Sequence, residues 1–249
     1  MSLETKIEQF SPISLEEMDK VKLMNRVDVK YIFNENILPD LLDQIKDDYY
    51  ILFAGGTRSA KYITLYFDTV KNKFYLDHHN GKSNRFKVRY RKYVDSKLTF
   101  FEIKFKNSKG RVIKDRIKVE DIKQELGVEE LALLHKKISK KILLEPRLEN
   151  QFNRITLVAK KGIERLTIDY NLQFTFNKEN QGFPSLSIAE IKQERYSRDS
   201  KIMDALRKFG VRPARMSKYA IGMSIFSGEK ANRFKEKRIK INKIIRDDN

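Results

Sequence analysis

Charged residues recur at every second position in several stretches of this chain. Arg26-Val27-Asp28-Val29-Lys30, Lys87-Val88-Arg89-Tyr90-Arg91 and Glu102-Ile103-Lys104-Phe105-Lys106 show the pattern, as do Lys114-Asp115-Arg116-Ile117-Lys118 and Glu190-Ile191-Lys192. Side chains on a strand alternate between faces, so each stretch predicts a strand with one charged face and one mainly apolar face. Strands are expected at 26–33, 61–68, 85–93, 98–106, 111–119, 152–160, 163–170, 172–176 and 186–194. Buried parallel strands would read as continuous apolar runs, so the pairing is expected to be antiparallel. The expected class is α+β, an antiparallel barrel or tunnel with peripheral helices.

Helical spacing is confined to fewer places. Ser14-Leu15-Glu16-Glu17 has the form of a capping box opening a helix to about Lys22. Ile37, Leu38, Leu41, Leu42 and Ile45 share one helical face between Asn36 and Asp47, with Pro39 in the first turn. Glu120–Lys137 reads as helix divided at Gly127, and Asp199–Phe209 as helix stopped by Gly210. Asn80-Gly81 and Ser108-Lys109-Gly110 supply turns. The stretch 217–225 suits strand or helix equally. Residues 229–249 form a basic, helical appendage on a domain spanning 1–228, with Phe234, Ile239, Ile241, Ile244 and Ile245 as its apolar positions.

Charge narrows the function. Lys and Arg number 52 against 34 Asp and Glu, a formal +18 in 249 residues, and such self-repulsion asks for an anionic partner. Nucleic acid, anionic lipid and polyphosphate all qualify on this ground. The absence of cysteine excludes disulfides and thiol chemistry. No apolar run approaches the roughly 18 residues that span a bilayer, and the N-terminus lacks a signal-peptide core, so a soluble cytoplasmic protein is expected. His78-His79 falls in an expected surface turn. Gly81-Lys82-Ser83 imitates the end of a P-loop, but Leu76 stands where its first glycine belongs. Alternation alone leaves open whether the charges face outward around an apolar core or line a lumen, where they would be costly to desolvate without counter-charge.

The motifs taken in order resemble a known family. Arg26-x-Asp28-x-Lys30-Tyr31, Tyr66-Phe67-Asp68, Lys87-x-Arg89-x-Arg91-x-Tyr93, Glu102-Ile103-Lys104-x-Lys106 and Lys114-x-Arg116 come first. Asn153-Arg154, Arg165-x-x-Ile168-Asp169, Glu190-Ile191-Lys192 and Ser217-Lys218-Tyr219 follow. The series is similar to the vacuolar transporter chaperone (VTC) domain of the triphosphate tunnel metalloenzymes. The resemblance implies an eight-stranded antiparallel tunnel with a basic lumen. It also implies transfer of the ATP γ-phosphoryl group to a growing inorganic polyphosphate chain, with Mn2+ or Mg2+. It assigns Lys30, Arg89, Arg91, Lys104, Arg116, Arg154, Arg165 and Lys218 as phosphate ligands, with Lys87, Lys106, Lys114 and Lys192 beside them, and Glu190 as the metal carboxylate. Asp28 stands where many bacterial members carry glutamate.

These residue types suit the chemistry. Phosphoryl transfer needs reactants held in line and charge neutralised rather than covalent help. Arginine offers forked donors to phosphate oxygens and lysine a compact charge. Glu102 and Asp169 are expected to orient basic side chains, and Tyr31, Tyr93 and Tyr219 to serve as wall aromatics. The expected partners are ATP, triphosphate and inorganic polyphosphate, with no specific nucleic acid. The rivals are a triphosphatase of the same architecture and a non-catalytic polyanion-binding module.

Overall fold

The strands join in one sheet of predominantly antiparallel pairing in the computed structural model, which describes residues 2–20, 26–138, 142–183, 185–197 and 199–246. In chain order they are β1 (Ser11–Ile13), β2 (Val27–Asn34), β3 (Tyr49–Leu52), β4 (Ser59–Asp68), β5 (Arg85–Tyr93) and β6 (Leu98–Lys106). Then come β7 (Val112–Val119), β8 (Glu145–Ala159), β9 (Glu164–Phe176), β10 (Glu179–Phe183) and β11 (Leu186–Gln193). The main path runs β2-β11-β9-β8-β4-β5-β6-β7, every neighbouring pair antiparallel; β1, β3 and β10 lie off it.

The sheet curls. β2 and β5 are five steps apart on the path, so a flat sheet would separate them by about 24 Å at ~4.8 Å per strand. Yet the Lys30 charge on β2 is among those acting on the Lys87 ammonium on β5. The face carrying both is therefore the concave one. The curl does not close into the expected barrel: β2 and β7 are the two ends of the path, and among the described residues no ladder joins them. The concave side of β7 is basic, with exposed Lys114, Arg116 and Lys118, whereas β2 carries Lys30 together with Asp28 there.

The helices are α1 (Leu3–Glu8), α2 (Leu15–Lys20), α3 (Leu38–Ile45), α4 (Lys73–His79), α5 (Val128–Lys137), α6 (Lys201–Lys208), α7 (Lys218–Phe226) and α8 (Lys235–Arg246). On the convex face, α1, α3 and α6 bury Ile7, Leu41, Leu42, Ile45, Ile202 and Leu206 against Tyr31, Phe33, Leu166 and Ile191. Further along, α4 and α5 cover Val88, Tyr90, Phe101 and Ile103 with Phe74 and Leu134. The third cluster lies on the concave face: α7 brings Tyr219, Ile221 and Met223 onto Phe152, Leu148, Leu172 and Phe174. Part of the concavity is thus filled by a helix, and the remainder is basic. Among the described residues no helix is long and apolar enough to cross a membrane.

Several departures from the sequence reading have physical causes. The runs at 163–170 and 172–176 form the single strand β9, with Asn171 between them at φ +50°, a conformation asparagine tolerates. Only the second half of Glu120–Lys137 is helical, and Gly127 is its N-cap. The stretch 217–225 is helix α7; it is buried from Tyr219 to Ser224, so no amphipathic period marks it. His78 and His79 belong to α4 rather than a surface turn, and His79 is 2% exposed. The Ser14 capping box forms as expected, Ser14 N–H donating to Glu17 and Glu17 N–H to Ser14 Oγ at 2.9 and 3.2 Å. The expected end of that helix near Lys22 lies outside the described residues. The basic segment after 229 is helical over α8, and Phe234 and Ile241 are buried in the same cluster as α7.

Candidate functional site

Strand register brings the sequence-predicted residues onto one surface. Lys30 lies opposite Glu190, and Lys192 opposite both Asp28 and Arg165. Arg154 is opposite Asp169, Arg89 opposite Glu102, and Glu102 opposite Arg116. Lys87, Lys104 and Lys114 form a row across β5, β6 and β7, while Arg91 faces Thr64. Lys106 lies opposite Arg85 at one end. Lys218 arrives from α7, the helix laid across this face. The charges therefore line the concave side, the arrangement that alternation left open.

Three carboxylates organise the cations, two apiece. Glu102 is fully buried; its Oε2 accepts from Arg89 Nε and Nη2 at 2.8 and 2.6 Å, and Lys114 pairs with Oε1. Asp169 receives Arg154, with Nη2 at 2.8 Å from Oδ2, and Lys218. Glu190 receives Lys30 and, at 2.7 Å, Lys192. Burial opposes ionisation of all three. The adjoining cations outweigh it and hold each carboxyl well below the usual range. The expectation that Glu102 and Asp169 orient basic side chains is met by this geometry.

Other cations on the face are short of counter-charge. Lys87 donates to Ser217 Oγ at 2.8 Å; burial, then the Arg89, Arg85 and Lys30 charges, push it down to about 7. Arg89 and burial together depress Lys104 strongly, against a smaller opposing effect of Glu102, and Lys104 and Lys106 form no salt bridge among the described residues. Arg91 is 9% exposed; Thr64 Oγ1 lies 3.4 Å away and the Tyr62 ring 5.7 Å away, Glu102 acts on it as a charge, and among the described residues it forms no salt bridge. Burial pushes Lys218 to about 8 even beside Asp169. Arg116 projects from the edge strand over the Phe100 ring at 4.5 Å. Arg165 sits further out, donating to the Met18 carbonyl of α2 at 3.1 Å. Like-charge neighbours at this density cost stability, and a bound polyanion would offset that cost.

The sequence profile of the VTC domain matches residues 25–227. The chain belongs to the VTC domain family. No protein of curated function matches it. Its fold is also that of two solved structures at low identity. One, from Hippeastrum, was assigned as an adenylyl cyclase and reveals a dominant triphosphatase activity: 14% identity, 84% of this chain and 99% of that one, TM-score 0.50. The other, from Bacillus halodurans, was assigned as an adenylate cyclase: 12% identity, 81% and 97% coverage, TM-score 0.50.

The donor set of this VTC domain limits how a metal can be held. Among the described residues no three His, Cys, Asp or Glu side chains group to bind an ion. Glu190 has both oxygens engaged by lysines, and Asp28 pairs with Arg26 at 3.1 Å. A magnesium or manganese ion takes one or two carboxylates and completes its shell with phosphate oxygens and water. Glu190 fits that role for an ion carried by its phosphate ligand, once Lys30 or Lys192 turns to phosphate.

Two further VTC residues seat the site and escaped assignment from sequence. Asp68 is fully buried, caps the start of α4 through Phe74 and Tyr75 N–H at 2.8 and 2.9 Å, and accepts from the Tyr219 hydroxyl. It thereby fixes α7 and Lys218. Ser217 both caps α7 and holds Lys87. Both lie inside quoted motifs, Tyr66-Phe67-Asp68 and Ser217-Lys218-Tyr219. The alternation gave no sign of either, because their partners come from other elements.

Proposed function

We propose that this VTC-family chain is a polyphosphate polymerase, passing the γ-phosphoryl group of ATP to a growing inorganic polyphosphate chain. The observation that carries this reading is a concave face whose carboxylates each hold two cations in salt bridges while, among the described residues, Lys87, Arg91 and Lys104 form none. Such a surface matches a run of phosphates better than a single one.

In this reading Arg89, Arg91 and Arg154 take non-bridging oxygens in forked contacts, and Lys30, Lys87, Lys104, Lys192 and Lys218 supply compact charge along the chain. Arg116, Lys114, Lys106 and Arg165 extend the surface toward its rims. A terminal oxygen of the polyphosphate attacks the γ-phosphorus, the bond to the β–γ bridging oxygen breaks, and ADP leaves. The protein's part is to hold attacking and leaving oxygens in line and to neutralise charge on the transferring group. Mn2+ or Mg2+, with Glu190 as its protein ligand, would add charge neutralisation at the phosphate oxygens. α7 covers part of the face and limits water there, which favours transfer over hydrolysis. ATP as donor makes the cytoplasm the expected place of work.

The second reading is a triphosphatase, in which water takes the place of the acceptor chain. The activity described for the Hippeastrum structure favours it. Incubation with ATP and manganese, resolved by gel and phosphorus NMR, separates the two. Long-chain polyphosphate establishes the polymerase; orthophosphate alone assigns a triphosphatase, and no turnover leaves a polyanion-binding domain.

A further inference from the structure

The basic face extends past Lys87 and Lys104 to the end of β5 and β6 where Lys106 lies. At the end of β5 and β6, Arg85 lies directly opposite Lys106, a like-charge cross-strand pair with Lys87 and Lys104 as the next inward pair. Such pairs are unfavourable in themselves, and a strand that violates a local rule signals a ligand or a compensation nearby. No carboxylate in the described residues pairs with Arg85 or Lys106; Arg85 donates only to the Lys82 carbonyl, at 2.7 Å. The turn that leads into α8 packs on the end of α4, which runs on into β5: Arg233 N–H donates to His79 Nε2 at 3.3 Å. Lys237 lies 5.3 Å from the Phe234 ring centre, and that ring meets His78 edge-on at 6.0 Å. Burial first, then the charges of Lys87, Arg85, Lys237 and Lys106, push His78 down to about 2, which is how a histidine surrounded by cations behaves.

We infer that Arg85, Lys106 and Lys237 form an accessory phosphate-chain site that extends the concave face beyond the reach of a triphosphate. From Arg85 to Arg91 the strand runs six residues, about 20 Å at ~3.3 Å each, longer than any triphosphate. The ligand is a segment of inorganic polyphosphate. Lys237 lies beyond the family match at 25–227, so this part of the track belongs to the segment that follows the matched region. The inference rests on reading the concave face as a phosphate-chain binder.

The test is binding without turnover, in chelator, of tripolyphosphate, long-chain polyphosphate and duplex DNA to the full chain. The variant Arg85→Gln/Lys237→Met keeps the aliphatic packing on Phe234. Its affinity for long-chain polyphosphate should fall about tenfold, with tripolyphosphate changed by less than about twofold. The salt slope for the long chain should drop by roughly the two contacts removed. Equal losses for both phosphates, no loss for either, or an equal loss for DNA would overturn the site. Lys237→Met alone, expected to give a smaller loss of the same selectivity, guards against a folding defect in the double variant. If neither wild type nor variant makes polymer while the length-selective loss stands, the polymerase reading fails and the accessory site survives.

Discussion

Glu102→Gln tests whether the buried carboxylates act as internal counter-ions for a phosphate surface. Glu102 has no exposed area and holds Arg89 through two nitrogens and Lys114 through the other oxygen. Glutamine keeps the shape and one acceptor but removes the charge, leaving Arg89 beside Arg91 and Lys104. Removing one partner of a buried ion pair costs about 3–5 kcal/mol, and retention of an acceptor puts this case near 3. For a chain of this size each kcal/mol shifts Tm by about 2–4 °C, so a fall of about 6–12 °C is expected. A bound polyanion replaces the lost charge. Tripolyphosphate at a hundred times its Kd adds about 2.7 kcal/mol by mass action, and the variant should bind it more tightly than wild type because Glu102 no longer competes for Arg89. The assay is thermal unfolding by circular dichroism with and without tripolyphosphate. Asp115→Asn, which breaks the half-exposed Asp115–Lys137 pair, is the control at no more than ~1 kcal/mol. An unchanged Tm for Glu102→Gln, or an equal rise with ligand in both proteins, would refute the reasoning.

Three other outcomes follow from the same geometry. Polyphosphate affinity should fall as pH rises through about 7 and then about 8, because Lys87 and Lys218 lose their protons there when free and regain them beside phosphate; calorimetry in two buffers should show proton uptake, and a pH-independent affinity would refute the assignment. Glu190→Ala should abolish metal-dependent turnover while anion binding holds or tightens, since Lys30 and Lys192 are released, so loss of binding with normal turnover would sink the metal role. Gly222→Ala should destabilise the fold by about 1–3 kcal/mol and weaken binding through Lys218, because its Cβ would lie 2.5 Å from Leu148 Cδ2 and 3.0 Å from Phe174 Cδ1; an unchanged Tm would mean that α7 shifts freely.

Alternation made most of this surface legible before any coordinates, because strand pairing preserves parity. Once Arg89 faces the concavity, Lys87 and Arg91 must also. Parity could not say how the path ends: among the described residues β2 and β7 are left as its two open edges. It also left α7 undecided between strand and helix: a segment buried from Tyr219 to Ser224 carries no period to read, although Ser217 supplies a cap by accepting from Ala220 N–H. Asp68 was visible only as part of a motif, since its partners Tyr75 and Tyr219 lie in two different helices. His78 and His79 looked like turn residues beside Asn80-Gly81, but they end α4, where tertiary contacts with Phe234 outweigh local polarity.

The open seam between β2 and β7 has a topological consequence. A sealed ring admits a polymer only by its tip and releases it only by sliding along the axis. A cleft with a lateral gap takes up a strand anywhere along its length and lets it go sideways. Retention of the product then depends on ionic attraction rather than on enclosure. On the polymerase reading, each catalytic run should therefore shorten as salt rises, with screening setting the dwell time of the polymer on the protein.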